Sequence, residues 1–232
     1  MAKSRQPGLT PATGLFHKSY EAVMRNINTF TILVLPSFLF TLSSLVPFPD
    51  GNPAKDFSAP FGSLVFPTYG WVAIFILGFI ATVLLVFLLI IIQAMLLILE
   101  LEAAQDKTPG LGHLWELGNK YLLRLFGLAI VTSIYVIGGL ILFIIPGLIM
   151  IRRYFLAPYL LIDKDLPIGE AMRRSAALTK PHPGAVWGVI GVMLLLSLPG
   201  FVPFIGPIVA FVLGALYSVA PAIRYKELKK LS

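Results

Sequence analysis

The sequence predicts an all-α protein, a polytopic helical membrane protein with about six transmembrane helices, Pro-Gly-broken hairpins and amphipathic interfacial helices. Three observations carry that prediction. Only 12 % of the 232 residues are charged, about half the fraction of an ordinary soluble domain, while 57 % are hydrophobic. The apolar residues fall in blocks of about 20, the length that crosses a hydrocarbon core of roughly 30 Å, and the mean hydropathy is +0.88. Lysine and arginine crowd into alternate connections once six spans are drawn, 15 of 18 on one side.

The elements follow in order, as one integral membrane domain over 1–232. An N-terminal cytoplasmic arm, 1–15, leads into "GLFHKSYEAVMRNINTF". There Phe16, Tyr20, Val23, Met24 and Ile27 recur at helical spacing, with Lys18, Glu21 and Arg25 elsewhere. This is an amphipathic interfacial helix feeding a first span over 26–48. A second span covers 70–100, with Tyr69 and Trp71 where an interfacial aromatic belt belongs. "TPGLGHLWELGNKYLLRLF" is a second amphipathic entry, presenting Leu111, Leu114, Trp115 and Leu122.

From Tyr121 to Ile162 the chain is apolar except at Arg124, Arg152 and Arg153. One straight helix of that length would reach roughly 65 Å, twice a bilayer core. Proline ends the hydrogen-bond ladder and glycine permits a turn, so Pro146-Gly147 is read as a structural turn between spans 121–145 and 148–162. A polar stretch, "DKDLPIGEAMRRSAALTKPHPG", holds a helix. Asp163 or Asp165 is its candidate cap, Pro167 suits its first turn, and Ile168, Met172, Ala176 and Thr179 form one stripe. It reads as a connector lying on the membrane. Spans 185–198 and 208–223 close the chain around "PGFVPFIGP", a compact turn.

With six spans both termini and both long basic loops share the cytoplasmic side, and only Lys55 lies clearly opposite. Merging spans three and four would strand Arg173, Arg174 and the basic tail outside. Arg152 and Arg153 stand apart, inside span four. They are candidate contacts for an anion or a lipid headgroup, because charge inside a membrane must snorkel, pair or line a polar cavity. Arg173 and Arg174 are candidates for the same contact on the interfacial helix. Gly206, Ala210, Gly214 and Ser218 form a small-residue ridge on span six, with Gly184 and Gly188 on span five. Such residues suit close packing of the two spans, or a homodimer. The two proline-broken hairpins also echo each other, each with an Ala-Pro near the end of its returning span: Ala157-Pro158 and Ala220-Pro221.

Chemistry-bearing patterns are sparse. The absence of cysteine removes disulfide, thiol and cysteinyl-metal chemistry, and His17, His113 and His182 are scattered. There is no HExxH, GxSxG or P-loop pattern. Gln93, Thr132, Ser133 and Tyr135 are the interior polar residues. The expectation is no catalytic residues, no cofactor and no metal. The net charge of +7 follows from the topology, so nucleic acid is not an expected partner.

"LFHKSYEAVMRNINTF" and "LFIIPGLIMIRRYFLAPYLLIDKDLPIGEAMRRSAALTK" resemble a group of uncharacterised bacterial integral membrane proteins. These are related to the membrane domain of glycerophosphoryl diester phosphodiesterases. The matching marks are Pro146-Gly147, Arg153, Ala157-Pro158, Asp163, Asp165, Glu170-Ala171, Arg174-Ser175 and Thr179. The phosphodiesterase activity belongs to a separate soluble barrel, of which nothing is present here. The resemblance implies a bacterial cytoplasmic (inner) membrane protein without that activity. The expected function is non-catalytic: envelope support, or scaffolding with membrane lipids, anionic ones included, or with protein partners. The alternative is a transporter or channel for a small or lipid-like solute.

Overall fold

The computed structural model describes residues 8–43 and 68–231. Helix α1 is Gly14–Arg25, α2 Ile27–Ser43, α3 Thr68–Ala103 and α4 Leu111–Leu142. Then come α5 Ile144–Tyr154, α6 Ala157–Lys164, α7 Ile168–Thr179 and α8 Pro183–Ser197. A 3₁₀ turn, Leu198–Phe201, leads to α9 Gly206–Tyr217 and α10 Ala220–Lys229. Among the described residues five stretches are long and apolar enough to cross a membrane: Phe75–Ala103, Leu111–Leu142, Ile144–Lys164, Pro183–Phe201 and Gly206–Lys229. α1 and α2 pass the same test only when taken together, as a pair bent by 98°, which gives five or six spans. The chain is an all-α, multi-pass membrane protein. Lys55, Tyr69 and Trp71, and the end of the first predicted span, lie outside the described residues or have side chains that do.

The bend between α1 and α2 has a local cause. Asn26 sits at the corner, and its side-chain amide donates to Ala22 O at 3.2 Å and to Lys107 O at 3.3 Å. One contact caps the end of α1; the other ties the corner to the loop after α3. The apolar face read for α1 splits in two. Leu15, Ser19, Ala22 and Val23 are buried against α9 and α10, whereas Tyr20, Met24 and Ile27 face outward. The second amphipathic segment is not a separate helix. It is the first half of α4, about 48 Å long in all, with Leu114 and Leu122 buried and Trp115 exposed.

The long apolar run does break, but at Phe143. That residue is extended (φ −164°, ψ 151°), and α5 begins directly after it. Pro146 and Gly147 stand in the first turn of α5, so the boundary lies ahead of the one drawn from sequence. The physical reason is that a first-turn amide has no intrahelical carbonyl to reach, so proline costs nothing there. Glycine serves packing: a Cβ on Gly139 would stand 3.0 Å from Gly147 Cα, and one on Gly147 would stand 2.4 Å from Leu140 Cδ2. With Tyr135 and Tyr154 rings 5.8 Å apart, α4 and α5 lie side by side about Phe143.

The Ala-Pro echo has a structural counterpart. Pro158 cannot donate to Tyr154 O, nor Pro221 to Tyr217 O, and each span breaks there: α5 into α6, α9 into α10. At each break a fully buried serine from an amphipathic helix reaches the carbonyl five residues before the proline. Ser175 of α7 donates to Arg153 O at 2.6 Å, and Ser19 of α1 donates to Leu216 O at 2.7 Å. Ser19 Oγ also accepts from Val219 N at 3.2 Å. α7 therefore packs into the bundle, on α5 and α6, rather than lying free on a surface. Its buried stripe is Ala171, Met172, Ser175 and Thr179, while Ala176 is half-buried. Neither aspartate caps it. Pro167 is the N-cap and makes no side-chain cap bond, because both carboxylates are engaged elsewhere.

The small-residue ridge packs only in part. Gly206 lies against Pro199 O, where a Cβ would come within 2.0 Å, and Gly200 meets the Ala210 Cβ. Gly188 instead receives Ala12 of the N-terminal arm, and Gly184 and Gly214 face open space.

Candidate functional site

Apart from Arg152 and Arg153, the ionisable groups of the described residues gather at one end of the bundle. Both described termini are there, with the loop after α3 and the α6–α7 connection. Phe143 and the α8–α9 turn form the opposite, apolar end, where Phe143, Phe201, Phe204 and Ile205 are exposed.

Three clusters build this polar end. In the first, Arg224 donates through Nη1 to Glu227 at 2.7 Å and through Nη2 to Thr10 O at 2.6 Å. Thr10 Oγ1 donates to Glu227, Lys18 lies 3.4 Å from the same carboxylate, and Tyr217 OH donates to Ala12 O at 3.0 Å. The N-terminal arm is thus strapped to α9 and α10. Arg224, counted from sequence in the basic tail, is 1 % exposed. It tolerates burial because its charge is paired and most of its donors are used, although Nε has no partner among the described residues.

In the second cluster, Asp106 is held by Arg25 at 3.0 Å and Lys226 at 3.4 Å. Arg25 also donates to Ala103 O at 3.1 Å and Lys226 to Ala104 O at 2.8 Å, which staples the loop after α3 to α1 and α10. Lys226 foremost, opposed by some desolvation and aided by Arg25, holds the Asp106 carboxyl below the usual carboxylate range. In the third, Tyr225 OH and Lys229 Nζ both donate to Asp163, at 2.5 and 2.6 Å. Asp165, in the left-handed region at φ 48°, is reached by Arg124 at 2.6 Å and Lys120 at 3.4 Å. Desolvation pushes its carboxyl up, but Lys120 and Arg124 outweigh that and leave it below the usual range. Glu100 and Glu102 belong to this end too, accepting from Tyr159 OH at 3.0 Å and lying 3.2 Å from His113.

Between α6, α7 and α10 opens a groove of about 470 Å³. Lys164, Arg174 and Lys229 line it together with Leu160, Ala177, Leu178, Leu228 and Leu231. Of the sequence candidates, Arg174 reaches this groove and is anchored by Glu170 at 2.5 Å. Arg173 is exposed outside it. Arg152 and Arg153 are half-buried in the last turn of α5, and neither guanidinium makes a hydrogen bond or ion pair among the described residues. The ordered contact of Arg153 is through its main chain, to Ser175. Tyr135, Ser133 and Gln93 are exposed on the outside of the bundle rather than interior. Pro146 and Gly147 lie far from the groove, at the α4–α5 corner.

Sequence reasoning missed Ser19, Arg224, Lys164 and Lys229 as partners. No short-range pattern ties Ser19 to residues 216–219; the Ala-Pro echo was the one signal that pointed toward that break. Among the described residues no group of three His, Asp or Glu side chains is arranged to hold a metal. Comparison with protein-family models, with curated proteins and with solved structures finds no match to this chain.

Proposed function

We propose that this chain is a non-catalytic integral membrane protein that supports the envelope or scaffolds lipid and protein partners, with its polar end in the cytoplasm. The observation that carries the reading is the polar end itself. Ion pairs there join α1, α10 and the loop after α3 into one rigid platform, and amphipathic helices flank it with outward apolar residues. Such a platform suits holding partners at a membrane surface. The 15-to-1 split of basic residues outside the spans supports a cytoplasmic orientation. The marks around Pro146-Gly147 and Glu170-Ala171 support placement beside the bacterial family related to phosphodiesterase membrane domains. In that placement Pro146-Gly147 serves as the packing element of a hairpin.

The test pairs lipid and metabolite analysis of a deletion strain with identification of what co-purifies with the tagged protein. Altered envelope lipids or a reproducible partner are the expected result. Normal envelope lipids together with a lost solute flux would overturn the reading. Orientation is read with a single cysteine at exposed Lys180, and labelling from outside intact cells would reverse it.

One observation favours a transporter instead: two half-buried arginines in a spanning segment without partners among the described residues. In proteoliposomes a carrier would move anions, and Arg152→Gln with Arg153→Gln would abolish that flux. No flux above protein-free vesicles is the result expected here.

A further inference from the structure

We propose that the groove between α6, α7 and α10 is a binding site for the phosphate of an anionic phospholipid, its acyl chain lying along the groove's apolar lining. The inference rests on the reading that lipids are partners, and gives that reading a place and a chemistry.

The site is made by the two Ala-Pro breaks. Side chains of α6 and α10 meet there, with the Tyr159 and Tyr225 rings stacked at 6.1 Å and Tyr225 and Lys229 on Asp163, and α7 closes the third side. The charge arrangement is one-sided. Lys164, Arg174 and Lys229 line the groove, and no carboxylate does among the described residues. The acids that fix two of these cations stand behind them: Glu170 holds Arg174 and Asp163 holds Lys229. The Glu170 pair orients Arg174, whose guanidinium keeps donors beyond the ones that carboxylate uses. Lys164 is exposed, and its ammonium makes no hydrogen bond or ion pair among the described residues; Asp163 feels it only at longer range. It is the cation most available to a ligand.

The apolar lining decides the ligand class. Ala177, Leu178 and Leu231 line the same groove as the cations, apolar surface which a free phosphate would not use and an acyl chain would. The position agrees, because the groove lies at the polar end of the spanning helices, where headgroup phosphates reside. A volume of about 470 Å³ suits a headgroup with the upper part of one chain rather than a whole lipid.

The experiment uses the full chain purified in mild detergent, with native mass spectrometry after addition of phosphatidylglycerol or phosphatidylcholine. Glycerol 3-phosphate serves as the soluble competitor. The expected result is retention of phosphatidylglycerol over phosphatidylcholine, weakened by salt. Lys164→Gln with Arg174→Gln should reduce that retention at least fivefold, while Lys230→Gln, exposed and outside the groove, should leave it unchanged. Since Arg174 is tied to Glu170, Lys164→Gln alone is measured as well, and its circular dichroism should match the parent. Unchanged retention in the folded Lys164→Gln and double variants would overturn this site while leaving lipid partnership intact. Equal retention of the two lipids by the parent would overturn the anionic ligand itself. Displacement by glycerol 3-phosphate at concentrations equal to the lipid would assign the groove to a soluble phosphate instead.

Discussion

Ser19→Ala and Ser175→Ala test whether the two buried serines hold the two proline breaks. Both are in helices, both are fully buried, and alanine gains the same few tenths of a kcal/mol in helix propensity at each. Their duties differ. Ser19 makes two bonds, donating to Leu216 O at 2.7 Å and accepting from Val219 N at 3.2 Å. Val219 is 0 % exposed, so its amide loses its partner without gaining water. A buried unsatisfied group costs about 1–3 kcal/mol and a lost ordinary bond about 1, so Ser19→Ala should destabilise by about 2–4 kcal/mol. Ser175 makes one bond, to Arg153 O at 2.6 Å, and its loss should cost about 1 kcal/mol. The assay is reversible denaturation of the full chain in detergent, following circular dichroism against the mole fraction of sodium dodecyl sulfate. Equal losses, or a larger loss for Ser175→Ala, would refute the argument that Ser19 completes the backbone of the α9–α10 break.

Gly147→Ala should cost about 1–3 kcal/mol, because its Cβ would stand 2.4 Å from Leu140 Cγ and 2.9 Å from Leu140 N, while Gly138→Ala, with nothing within 4 Å, should be neutral or slightly stabilising by the same denaturation. Arg224→Met leaves Glu227 half-buried with Lys18 and Thr10 alone and should cost about 3–5 kcal/mol, and adding Glu227→Gln should recover part of it, checked by thermal melting of the double-mutant cycle. Asp106 has a carboxyl held low by Lys226 and Arg25, so its contribution is complete above the free carboxylate value of about 3.9 and fades as pH falls below it. Protease cleavage within residues 104–110 should therefore rise on acidification through that range in the parent, and be insensitive to it in Asp106→Asn.

Much of the architecture was legible because membrane insertion acts on local composition. An apolar block long enough to span announces itself, and so does the amphipathic spacing of Val23, Leu114 and Leu122. The break of the long run between α4 and α5 followed from length alone, although its position did not. Proline and glycine mark where a ladder is weak, but a first-turn proline is as comfortable as one in a loop, so Phe143 could take the turn. The groove was partly visible in Arg174. The roles of Lys164 and Lys229 were hidden among other basic residues, since a cation's partner is set by which helices meet.

By itself the sequence determined that this chain crosses a membrane several times and roughly where its apolar blocks lie. Each of these depends on the transfer of short segments between water and lipid, a property a segment carries wherever it stands. Tertiary structure decided what the polar residues do. It brought Thr10 to Arg224, Asp106 between Arg25 and Lys226, and Ser19 to the α9–α10 break. Those bonds join residues remote in the chain, and a hydrogen bond needs its two atoms within about 3 Å. No property of either segment alone reports that distance.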